Sequence, residues 1–85
     1  MNKTNFLILS ILKSHNAISK IRGMTVKDIL CMDNLPYKEN TFYKLLRDMC
    51  AEGMIKVGAK EGRALTFYIT ETGIKRMEEA KEDEK

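Results

Sequence analysis

Eighty-five residues make one small domain with a single core and a large surface fraction, which leaves no room for a second domain and favours support from a partner subunit. The formal charge of +3 is unevenly placed: from Glu78 onward there are five acids and two bases, leaving 13 bases against 7 acids before it. The chain thus divides into a basic body, 1–77, and an acidic C-terminal tail, 78–85; the body either attracts a polyanion or simply carries solvated lysines. The apolar run Phe6 to Leu12 falls far short of the roughly 20 residues a membrane span needs, and with no secretory signal the expected location is the cytoplasm.

Helix 1 is expected from about Thr4 to Ser14, and its apolar residues go nearly all the way round. Ile8, Ile11 and Leu12 can face the core, which leaves Phe6 and Leu7 for a dimer surface or for cover by the C-terminal helix of the same chain. Ser14-His15-Asn16 reads as a turn and Ala17 to Gly23 as a basic loop anchored by Ile18 and Ile21. His15 has no acid or nucleophile beside it and reads as a solvated turn residue. Thr25 followed three residues later by Asp28 is an N-cap signature that starts helix 2, with Val26, Ile29 and Leu30 inward. The segment Met32-Asp33-Asn34-Leu35-Pro36 is a turn, and Pro36 or Tyr37 opens helix 3.

The stretch Tyr37 to Val57 organises the rest. Phe42, Leu45, Leu46 and Met49 recur at helical spacing and commit one side of helix 3 to a core. Tyr37, Asn40, Lys44 and Arg47 fall opposite, with Tyr43 on the flank. Gly53 suits the left-handed position that ends the helix. Met54 to Ala59 and Ala64 to Thr70 are strand-like, with Ile55, Val57 and Ala59 on one face and Leu65, Phe67 and Ile69 on one face. Lys60-Glu61-Gly62-Arg63 is the hairpin tip between them. Thr70 caps a last helix that turns Ile74 and Met77 toward the body before the run EEAKEDEK frays. The expected fold is mainly α with a small β-hairpin, a winged helix-turn-helix of three core helices, a wing and a short C-terminal helix.

In such a fold the outer face of helix 3 enters a major groove, where Asn40 pairs with adenine and Lys44 or Arg47 with guanine. Lys38, Thr41, the hydroxyls of Tyr37 and Tyr43, and the start of helix 2 at Thr25 suit phosphates. Lys60 and Arg63 suit the adjoining minor groove. Each has a plainer reading: exposed cations are ordinary on any helix, Arg63 can pair with Glu61, and Tyr43 can be core. No phosphate loop, HExxH or nucleophile-base pair is present, so an enzyme is not expected, nor is a cofactor. Cys31 and Cys50 lack CxxC spacing, which excludes a zinc site; they read as small buried hydrophobes, with a disulfide the alternative.

Thr41-Phe42-Tyr43-Lys44-Leu45-Leu46, Ala51-Glu52-Gly53-Met54-Ile55, Gly62-Arg63 and Phe67-Tyr68-Ile69-Thr70-Glu71-Thr72-Gly73 follow in order and spacing a pattern that resembles PadR-like transcriptional regulators, within the winged-helix superfamily that includes MarR-like repressors. The resemblance covers about half of the chain. It implies a recognition helix from Asn40 to Arg47, a wing at Lys60 to Arg63, and a homodimer on a two-fold operator in double-stranded DNA. The family's His-Gly-Tyr at the start of helix 2 is replaced by Gly23-Met24-Thr25, and its long C-terminal helices are missing, so a small-molecule effector is not expected. Dimerisation would then use Phe6 and Leu7 of helix 1 and Met77 of the last helix. Partition or replication control on repeated sites, and a protein-protein module without DNA binding, are the alternatives.

Overall fold

Among the described residues, three of the four α-helices begin at a polar side chain that takes up an otherwise unpaired amide. The computed structural model describes residues 2–32 and 35–83. Helix α1 (Lys3–Ser14) is capped by Asn2, whose side chain accepts from the Asn5 amide at 2.8 Å. Helix α2 (Val26–Met32) starts from a reciprocal box: the Asp28 amide donates to Thr25 Oγ1 and the Thr25 amide to Asp28 Oδ2. Helix α4 (Glu71–Asp83) starts at Thr70, whose Oγ1 accepts from the Gly73 amide at 3.1 Å. Helix α3 (Glu39–Ala51) lacks a side-chain cap at Lys38 and begins two to three residues later than Pro36 or Tyr37. The centre of the expected turn before it, residues 33–34, lies outside the described residues.

Two helices end in the same way. After α1, Asn16 takes φ 57 and donates to the Lys13 carbonyl, while Ala17 donates to that of Leu12. After α3, Gly53 takes φ 80 and donates to Cys50, while Met54 donates to Met49. Both are the paired 5→2 and 6→1 bonds that close a helix through a left-handed residue. The residue following each then offers its own carbonyl to the end of strand β3 (Thr66–Ile69): Ala17 accepts from Ile69 at 2.8 Å and Met54 from Thr70 at 3.1 Å. The ends of α1 and α3 are thereby fixed to one strand.

Replacing Gly53 with alanine meets no atom within 4 Å, so its cost is conformational. A loss of about 1–2 kcal/mol is expected in urea denaturation, from the penalty of the left-handed region for a residue with Cβ. Gly53→Asn should lose less, because asparagine tolerates that region. Equal losses for the two would contradict this account.

In place of a lone hairpin, the sheet among the described residues has three antiparallel strands in the order β1-β3-β2, with β1 (Met24–Thr25) on one side of β3 and β2 (Ile55–Val57) on the other. Phe67 is paired on both sides, to Met24 and to Val57. The core joins Ile8, Leu9, Ile11 and Leu12 of α1, Ile29 of α2, Phe42, Leu46 and Met49 of α3, Ile55, Phe67 and Ile69 of the sheet and Met77 of α4. No helix among the described residues is long and apolar enough to cross a membrane.

Several expectations are corrected. Met77 is 2% exposed and sits against α1, where Ser10 Oγ approaches its sulfur at 3.6 Å; α4 of the same chain thus covers part of α1, and Met77 has no surface to offer a second copy. Ile18 and Ile21 do not anchor their loop: they are 52% and 85% exposed, and Ala17 is the buried residue there. Lys20–Arg22 form a 3₁₀ turn held instead by the Lys20 carbonyl, which accepts from the Ala59 amide at 2.8 Å. Val57 and Ala59 are exposed: β2 is an edge strand of which only Ile55 is buried, and Ala59 lies beyond its end. The charged run does not break the last helix, which continues to Asp83. Both cysteines are free; Cys31 is exposed rather than buried and Cys50 half-buried, where burial pushes its thiol pKa up.

Candidate nucleic-acid interface

Helix α3 carries its two faces because Phe42, Leu46 and Met49 are buried against the sheet and α2 while Asn40, Thr41, Lys44 and Arg47 stay in solvent. At about 100° per residue Asn40, Lys44 and Arg47 lie within one narrow sector opposite the core. Leu45, expected in the apolar stripe, is half-buried at its edge. Glu39 and Asp48 are also exposed on this helix, so its outer surface is a cationic ridge with acids on both flanks. That arrangement favours one strip of polyanion along the ridge over general adhesion.

Tyr37 is corrected. It precedes α3, its ring lies 5.8 Å from that of Phe42, and its hydroxyl shares a 3.1 Å hydrogen bond with Thr4 Oγ1. It therefore tethers α1 to α3 and is absent from the outer face. Thr25 is corrected as well: it is buried and paired in β1, its amide donates to Asp28 Oδ2 and its hydroxyl accepts from the Asp28 amide. Lys38, at the start of α3, is exposed.

Tyr43 sits on the flank that faces the sheet, its ring 6.3 Å from Phe67 at 71°. Arg47 Nη1 donates to the Tyr43 hydroxyl at 3.3 Å, and the guanidinium carbon stands 5.8 Å from the ring centroid. The Tyr43 hydroxyl holds the Arg47 pKa above its ordinary value.

The wing tip is tighter than a four-residue turn. Glu61 and Ala64 exchange both backbone hydrogen bonds, leaving Gly62 and Arg63 as the two central residues. Gly62 has φ 63 while Arg63 does not have positive φ, which is the type II′ turn that matches strand twist. Lys60 and Arg63 are exposed at this end. Between wing and α3 runs an open groove of about 390 Å³, lined by Lys27, Glu39, Tyr43, Arg63 and Leu65 among others. Lys27, exposed in the first turn of α2, was missed in the sequence; its place two residues after the Thr25 cap was the available signal.

A helix with an anchored apolar side, a solvated cationic side and a two-residue wing beside it defines a winged-helix domain. The chain belongs to the F-93 winged-helix domain family, whose model matches residues 15–73. No curated protein sequence matches it significantly. Among solved structures it is similar to TubR from Bacillus megaterium pBM400, with a TM-score of 0.77 and 24% identity over 94% of this chain and 86% of that one. It is similar to the DNA-binding TubR fragment from Clostridium botulinum, with a TM-score of 0.72 and 25% identity over 94% of this chain and 96% of that one. A mutant of S. aureus MepR gives a TM-score of 0.72 and 24% identity over 92% of this chain, which spans 54% of that one.

Proposed function

We propose that this chain is a sequence-specific double-stranded DNA-binding regulator of transcription, acting in the cytoplasm as a dimeric repressor that occupies an operator. The observation that carries it is the shared exposure of Asn40, Lys44 and Arg47 on the helix that Phe42, Leu46 and Met49 anchor. The C. botulinum relative, described as DNA-binding, supports the assignment. The matched TFYKLL, AEGMI and FYITETG segments support PadR-like as the finer grouping.

Asn40, Lys44 and Arg47 read base edges in the major groove, Lys38 and Thr41 hold phosphates, and Lys60 and Arg63 reach the adjoining minor groove. Lys27, which lines the same groove as Arg63, joins the phosphate contacts. The dimer forms through Phe6 and Leu7, both half-buried, which line an apolar groove of about 470 Å³ with Leu35 and Tyr37. Two copies then place their recognition helices roughly 34 Å apart, one DNA turn.

Selection of bound fragments from random duplex DNA tests this. Inverted half-sites about one turn apart are expected, with log affinity falling against log salt by about 0.9 per neutralised phosphate. Absence of enrichment, or affinity flat in salt, would overturn it. A second use of the same surface, partition or replication control on repeated sites, would enrich tandem arrays instead of a single inverted pair.

A further inference from the structure

Among the described residues, Arg47 is the one cation of α3 held by another side chain. Its partner is fixed in turn. Tyr43 is half-buried and packs edge-on against Phe67, which is fully buried and paired on both sides in the central strand. A continuous contact therefore runs from the middle of the sheet through one tyrosine to a guanidinium on the exposed ridge. Lys44, three residues before Arg47 on the same ridge, has no such support among the described residues.

We infer that Tyr43 is a positioning residue for Arg47: its ring and hydroxyl hold the guanidinium in place before DNA arrives, so that specificity at one base pair depends on a side chain that does not itself touch the base. This rests on the DNA-reading role proposed for α3. The physics is pre-organisation. An arginine already ordered loses less rotamer freedom on docking, and its planar fork rewards a set orientation in a way the lysine ammonium does not. Tyr43 thus acts through Arg47 instead of gripping a phosphate.

Tyr43→Phe keeps the ring and its contact with Phe67 and removes only the hydroxyl that accepts from Arg47. Against a panel of single-base variants of the selected site, it is expected to lose about threefold to tenfold discrimination at the same position that Arg47→Ala relaxes, within the range for one ordinary solvent-exposed hydrogen bond. Non-specific affinity and the salt slope should not move. The double variant Tyr43→Phe/Arg47→Ala should discriminate no worse than Arg47→Ala alone, and Tyr43→Phe should add nothing to Arg47→Lys, which lacks the fork. In the free protein, ¹⁵N relaxation of arginine Nε–H groups should show Arg47 more ordered than Arg22 and Arg63, and should bring it down to their level in Tyr43→Phe. Additive losses, a salt slope reduced by about one in Tyr43→Phe, or an Arg47 as mobile as Arg63 in the unaltered protein would overturn the inference while leaving α3 as the reading helix. A protein with no base preference at all would overturn both.

Discussion

Phe67→Ala is expected to cost about 3–5 kcal/mol, the range for emptying a buried phenylalanine site. For a domain of this length total stability is on the order of 4–13 kcal/mol at the usual value per residue, so the loss takes a large share of it and at the lower end leaves the variant partly unfolded. The reason is position as well as volume. Phe67 is completely buried, pairs with Met24 on one side and Val57 on the other, and carries the ring of Tyr43 on its edge. Removing it opens a cavity at the junction of three strands and α3. Urea denaturation followed by circular dichroism measures the loss. Val57→Ala, on the exposed edge of the same ladder, is the matched control and should cost well under half as much. Similar losses at the two positions would mean that the sheet is not packed as described.

Removing both cations of the α3 ridge, Lys44→Ala with Arg47→Ala, is expected to reduce operator preference sharply, leaving the part that Asn40 reads. Each good base pairing supplies about 1–3 kcal/mol of discrimination, so the pair together should separate the selected site from random DNA by at least about thirtyfold less than the unaltered protein does. Thermal stability should hardly change, because both side chains are exposed and lie opposite the core. Lys60→Ala at the wing should behave differently, weakening binding to all sequences alike and lowering the salt slope. Competition binding of the selected duplex against a scrambled one, at two salt concentrations, distinguishes these outcomes. A double variant that keeps the full preference would remove Lys44 and Arg47 from the role of readers.

How the candidate site was legible in the sequence follows from where each residue draws its constraint. Asn40, Lys44 and Arg47 share a face because a helix repeats every 3.6 residues, and Phe42, Leu46 and Met49 identify the opposite side. Gly53 and Gly62 occupy the left-handed positions that a helix end and a tight hairpin demand. Thr25 is legible as a cap for the same local reason, yet its burial in β1 and the use of its amide by Asp28 take it away from a phosphate. Tyr37 was misplaced by extending the helix period two residues beyond the actual start of α3, which moved a tether to α1 onto the outer face.

The sequence by itself determined four helices, the strands of a wing and the side of α3 that faces solvent, since each is set by neighbours three or four positions away or by alternate residues. Tertiary structure alone decided that the two residues Met24–Thr25 become a strand, because nothing but Phe67 and Thr66 across the ladder makes them one. It decided that Met77 seals α1 rather than meeting a second copy, that Ile18 and Ile21 stay in water, and that Tyr43 stands between Phe67 and Arg47. Those outcomes depend on which distant surfaces the folded chain brings together, and a pattern of near neighbours carries no record of that.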